Sequence, residues 1–156
     1  MNGEHAALVV TRDVTLAAFA ATPEQLARSY APGKWTLRQL LLHLVDTEGV
    51  LLDRLHRLAA DDKPLLWPFD ENRWMAELGG GARSLATAAT LFTATRAAVL
   101  ELASLVPPER WTRAGVHAEA GRTTFGEVLQ KVHRHNAHHL EQVRACIAGT
   151  AWRPPG

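Results

Sequence analysis

Residues 36–60 read TLRQLLLHLVDTEGVLLDRLHRLAA, with leucines at 37, 40, 41, 44, 51, 55 and 58. That recurrence follows the 3.6-residue period of one long amphipathic helix. Its start is marked by Thr36 as N-cap and Gln39 three positions on, the pattern of a capping box, and Trp35 is placed to staple onto Leu40. Pro32 and Gly33 close off whatever precedes it. One polar residue breaks the apolar stripe: His43 falls inward among the leucines, whereas His56 falls on the opposite face. Asp46 follows His43 at i+3, able to ligate, to orient an imidazole or to act as a base.

The same signals recur near the C-terminus. Thr124 and Glu127 form a second possible capping box ahead of FGEVLQKVHRHNAHHLEQVRACIAG, which runs to Gly149. Between these two helices, Ser84–Val106 is rich in Ala and Leu, has no internal Pro or Gly, and stops at Pro107-Pro108. A weaker helical pattern covers Glu4–Ala21, followed by a short helical turn over Pro23–Ser29. No segment alternates with period two for long, so strands are at most incidental. Four helices with longer connections between the second and third and between the third and fourth predict an all-α four-helix bundle. The first connection, 61–74, holds two prolines and two tryptophans and is expected to pack over one end of the bundle. The second, 106–123, reads as a loop or short hairpin that can approach a site.

The chain's 156 residues fit one domain spanning positions 1–156. With 17 basic and 16 acidic residues, no overall field points to nucleic acid or to an anionic membrane. The single cysteine, Cys146, cannot form an intramolecular disulfide, and no N-terminal stretch has the form of a secretory leader. No apolar run approaches the roughly 20 residues of a bilayer span. A cytoplasmic protein is the expectation.

Four of the eight histidines crowd into KVHRHNAHHLEQ, residues 131–142. The apolar stripe of that helix is Phe125, Val128, Leu129 and Val132, then a gap, then Val143, Cys146 and Ile147; continuing the spacing through the gap lands on His135, Asn136 and His139. At i and i+4, His135 and His139 share one face one turn apart, the spacing with which a helix offers two imidazoles to one metal ion. His138 lies on the flank and His133 is expected in solvent.

His43 is the candidate third ligand from the facing helix. Three inward imidazoles without partners would cost on the order of several kcal/mol in unmade hydrogen bonds, and a divalent cation satisfies all three. The rival reading makes them plain core residues. A three-histidine set leaves a coordination position open for water or substrate, which is catalytic in character, and zinc, nickel and ferrous iron all accept imidazole. Cys146, two turns past His139, reads as a small buried residue rather than a catalytic thiol. Trp67 and Trp74 either wall a substrate cavity or cap the bundle.

GKWTLRQLLLHLVDTE at 33–48, PFDENRW at 68–74 and HRHNAHHLEQ at 133–142 together resemble the DinB-like superfamily, and especially its YfiT-like branch, over residues 32–148. The resemblance implies a four-helix bundle, often a homodimer, with a divalent metal, zinc or nickel before iron, held by His43, His135 and His139. Family members of known activity are transferases that activate a low-molecular-weight thiol such as bacillithiol or mycothiol for attack on an electrophilic co-substrate. Others are named as metal-dependent hydrolases, for which Asp46, or else Glu119, would be the general base. A metal-dependent binding or stress protein without turnover is the third alternative. The LEQV after the paired histidines departs from the YfiT-like branch, where another His is usual; GVHAEAG, with His117 and Glu119, resembles that branch's loop before the last helix.

Overall fold

The computed structural model describes residues 3–154. The bundle is built from α1 (Gly3–Ala18), α3 (Leu37–Ala60), α5 (Leu85–Leu105) and α6 (Phe125–Ala148), with short helices α2 (Pro23–Ala27) and α4 (Glu71–Glu77) in the connections. Each long helix touches two neighbours: α3 packs on α5 and α6, and α1 closes the ring against the same two. This four-helix arrangement is the one the hydrophobic periodicity predicts.

The helix starts follow the sequence signals. Thr36 accepts from the Gln39 amide while its own amide donates to Gln39 Oε1 at 2.9 Å, and Thr124 and Glu127 repeat the exchange. Each box satisfies two backbone groups that a helix start leaves open. Gly149 ends α6 in the left-handed conformation at φ 70°, which costs glycine nothing. Trp35 packs on the cluster that holds Leu37, Leu40 and Leu41, as its position before the cap suggested.

Two connections hold more structure than their composition announced. Leu65–Leu66 forms β1, Ala114–His117 β2 and Gly121–Thr124 β3, in one sheet of order β1-β2-β3 with β1 parallel and β3 antiparallel to β2. The hairpin expected before the last helix is thus present and gains a third strand from the first connection. A Cβ at Gly115 would collide with the Pro64 carbonyl, so only glycine lets the two connections approach this closely. Leu66 inserts into the core, whereas Trp67 is 71% exposed and caps nothing. Trp74 sits on α4 against Phe69, their ring centroids 4.9 Å apart.

α5 also differs from its reading. By length and composition it is apolar enough to cross a membrane, because its alanines, Phe92 and Val99 add to its leucines. In the bundle it carries Arg96, fully buried, whose guanidinium pairs with Glu48 of α3 and donates from Nη1 to the Leu8 carbonyl at 2.7 Å and Thr11 Oγ1 at 3.0 Å on α1. Phe92 lies under the guanidinium at 5.1 Å. Three helices are therefore pinned by one charge, and each of its partners supplies a hydrogen bond that burial would otherwise waste.

Candidate metal centre

α3 and α6 face each other along their lengths, and their polar gaps coincide. His43 of α3 lies with its Nε2 3.0 Å from Nε2 of His135 and 3.2 Å from Nε2 of His139, both on α6. The three ligand atoms all fall within 4.8 Å of one another. His43 is almost fully buried, and its ring tilts against Trp35 at 4.8 Å between centroids. The structure thus brings together the three histidines that the helical wheels selected.

The outward nitrogens explain why the inward ones converge. His139 Nδ1 lies 2.7 Å from Gln142 Oε1, one turn further along α6. With the amide oxygen accepting, the His139 proton sits on Nδ1 and its Nε2 presents a lone pair. Thr47 Oγ1 lies 3.5 Å from His43 Nδ1, one turn along α3, at the outer edge of hydrogen-bond range. Each Nε2 is either an N–H or a lone pair, so at least two of the three are alike and no placement of protons pairs all three.

Burial pushes His43 down to about 3 and His135 down to about 2, with the neighbouring His139 the next cause in both. His139 is lowered by burial too, with Gln142 opposing. Neutral, convergent imidazoles are what a divalent cation requires. In a tetrahedral zinc site with bonds of about 2.0–2.1 Å, ligand atoms stand about 3.4 Å apart, close to the separations here. The donor set fits a divalent metal.

A cavity of about 340 Å³ opens onto the three histidines and runs along α3 past Thr47 and Leu51 to Arg54. His117, Glu119, Lys131 and Glu71 also line it. His117 Nδ1 accepts from the Glu119 and Ala120 amides, both at 3.2 Å. Its proton therefore sits on Nε2. Burial, then Arg54 and Lys131, hold its pKa below the ordinary value.

The structure does not bring Asp46 to this centre. Its two oxygens accept from Arg83 at 2.7 and 2.6 Å, and it lines a separate cavity with Trp67, Phe69 and Trp74. At i+3 the side chain stands about 60° off the His43 face, enough to turn it to the far flank of α3. Glu119 does line the metal-side cavity, from an exposed turn.

His138 stacks edge-on to Trp152 at 5.3 Å and stays outside the cluster. His133, expected in solvent, lies 3.1 Å from Glu4 of α1. Cys146 is buried in the apolar core beside Val143 and Leu140, as a small hydrophobe. Sequence reasoning passed over Gln142, Thr47 and Arg54, although each continues a histidine's own stripe by one or more helical turns.

A four-helix bundle with convergent histidines on two facing helices and a cavity beside them defines a class of candidate metalloproteins. The sequence profile of the DinB superfamily matches residues 7–143, and the chain belongs to that family. A "putative metal-dependent hydrolase" of Oceanobacillus iheyensis is 29% identical over 129 residues, covering 83% of this chain and 74% of the relative. A protein so named from Bacillus mycoides is 22% identical, over 83% and 74%. Among solved structures, YfiT from Bacillus subtilis, described as a probable metal-dependent hydrolase with an unusual four-helix bundle topology, superposes with TM-score 0.83 at 19% identity, over 97% of this chain and 91% of YfiT. A mycothiol-dependent maleylpyruvate isomerase superposes with TM-score 0.70 at 14% identity, over 90% of this chain and 59% of the isomerase.

Proposed function

We propose that this chain is a metal-dependent thiol S-transferase, with His43, His135 and His139 holding one divalent cation, zinc or nickel before iron. The observation that supports this reading is the convergence of three neutral imidazoles, two of them with partners at Nδ1, on a cavity from which Asp46 is withdrawn. When bound, the cation supplies Lewis acidity that lowers the pKa of a thiol, or of a water, at its open position. Among the described residues no carboxylate hydrogen-bonds to the three histidines. Thiol activation needs no general base there, because the proton can leave to solvent.

The chain's own part is to hold and to exclude. Gln142 fixes the His139 ring with its lone pair inward, and Thr47 stands at the back of His43. Trp35 and Leu51 supply apolar wall to the cavity, strengthening every electrostatic interaction inside it. In the transfer, the sulfur forms a bond to an electrophilic carbon and the leaving group departs with its electron pair. The mycothiol dependence of one structural relative points the same way.

A hydrolase is the second reading, favoured by the names of the sequence relatives and by Glu119, which lines the cavity as the available base. A cytoplasmic homodimer is the setting we propose for either activity.

Metal content by elemental mass spectrometry on untagged protein, beside His43→Ala and His139→Ala, tests the centre. Near-stoichiometric metal in the wild type and loss in both variants is expected. Turnover of bacillithiol or mycothiol with 1-chloro-2,4-dinitrobenzene then separates transferase from hydrolase. Thiol binding without conversion of any thiol–electrophile or ester substrate would leave a binding protein.

A further inference from the structure

Arg54 is the buried charge that the metal centre does not use. Its residue is 6% exposed, it lines the same cavity as the three histidines, and its Nε is buried with no hydrogen-bond partner. Among the described residues its one hydrogen bond runs from Nη2 to the Trp67 carbonyl at 2.6 Å. Among the described residues no carboxylate forms an ion pair with it. A guanidinium has five donors in a fixed fork, and burying one with so few partners is costly.

The position of Arg54 defines its reach. It follows His43 by eleven residues, which is about 16 Å along a helix axis and nearly the same face. Both side chains lean toward the helix N-terminus, so the axial separation carries over to the cavity they share, shortened only by the greater length of arginine. The cavity thus has a ligand-accepting end at the histidines and a cationic end at Arg54. His117 presents an N–H donor to the surroundings of that cationic end, and Lys131 adds a second, exposed positive charge. Asp53 and Glu119 are the carboxylates that act on Arg54, and Glu71 is a third on the cavity wall; all three are exposed, where water screens them, and Asp53 pairs with Arg57.

We infer that Arg54 is the anchor for an anionic group, a carboxylate in chemical class, at the far end of an extended substrate whose other end meets the metal centre. The Trp67 carbonyl holds the guanidinium in place, so the fork is oriented before the ligand arrives. A carboxylate would take the donors left over on the terminal guanidinium nitrogens, a planar pair that arginine offers and lysine does not. This inference rests on the thiol-binding reading and adds to it the charge and length of the substrate: a molecule spanning on the order of 10 Å, with a thiol at one end and a negative charge at the other.

The test uses two thiols of equal carbon number that differ only at the far end, 6-mercaptohexanoate with its carboxylate and 6-mercapto-1-hexanol with a neutral hydroxyl, titrated calorimetrically into zinc-loaded protein. The acid is expected to bind about tenfold or more tightly than the alcohol, the range of a charge-assisted hydrogen-bonded pair. Arg54→Gln should remove that preference by weakening the acid about tenfold more than the alcohol, and Arg54→Lys should restore part of it. Equal affinities of acid and alcohol for the wild type, or a preference that survives in folded Arg54→Gln, would overturn the inference and leave the thiol reading standing. The wild-type comparison decides even if the variants fail to fold. If neither probe binds to protein that demonstrably holds zinc, the thiol reading falls and this inference with it.

Discussion

The Nδ1 of His139 lies 2.7 Å from Oε1 of Gln142, and that contact sets which ring nitrogen faces His43. A buried glutamine one turn past a histidine therefore orients a ring of the proposed metal centre from outside the ligand set. Gln142→Leu should fold, since a similar volume replaces it, and should weaken zinc affinity about 10- to 100-fold. Competition against a chromophoric chelator reads this directly, and an unchanged affinity would mean that Gln142 does not orient the ring.

In the proposed centre His43 is the ligand from α3, so metal binding would tie α3 to α6. Saturating zinc should raise the wild-type Tm by several degrees, an increment that follows from binding to the folded state at a hundredfold excess over Kd or more, about 2.7 kcal/mol. The His43→Ala variant should show no such rise. Thermal melts with zinc and with a chelator, run on both proteins, check it.

Much of this was legible in the sequence because burial leaves a periodic trace. The stripe of Leu40, Leu44, Leu51 and Leu55 fixes which way His43 points, and the spacing carried through the gap between Val132 and Val143 lands on His135, Asn136 and His139. All three are where the wheel puts them, with Asn136 buried and bonded to Thr15 at 2.8 Å. What periodicity does not encode is partnership between distant segments. β1 has two residues and no alternation to read, and it exists because β2 is there to pair with it. Asp46 was assigned by its nearness to His43 in the chain, but Arg83, 37 residues away, decides where its carboxylate points. The same holds for Arg96, whose place in an Ala-rich helix gives no sign of Glu48.

Asp46→Asn tests that reassignment. The pair with Arg83 is partly exposed, and such pairs contribute about 1 kcal/mol or less. Zinc affinity should be unchanged and the Tm should shift by a few degrees at most. A loss of metal or of turnover comparable to His43→Ala would return Asp46 to the centre.

Acid should destabilise the metal-free protein over a defined window. In the unfolded chain the histidines take up protons as the pH falls through about 6.5, whereas in the folded protein His43 resists to about 3 and His135 to about 2. The unfolded state therefore binds more protons across that interval, so stability falls as the pH drops from about 6.5 and levels off below the folded values. Urea midpoints between pH 8 and pH 4 should decrease steadily in wild type, and less steeply in the His43→Ala/His135→Ala double variant.

The Arg96–Glu48 pair makes the strongest stability prediction. Both partners are buried, and Arg96 also holds the Leu8 carbonyl and Thr11 of α1. Glu48→Ala leaves a guanidinium in the core without its counter-charge and should cost about 3–5 kcal/mol, a large part of a small domain's stability. The double replacement Glu48→Leu/Arg96→Met removes both charges and fills the space with apolar atoms, so it should recover much of that loss. The two sites lie on the α1/α5 side of α3, away from the metal cavity's lining. Zinc stoichiometry should thus survive in the double variant even where the single one unfolds. Denaturant unfolding of wild type, single and double variants, with zinc content measured on each, checks both halves: a double variant as far below wild type as the single would show that the pair contributes net stability rather than merely avoiding an unpaired charge.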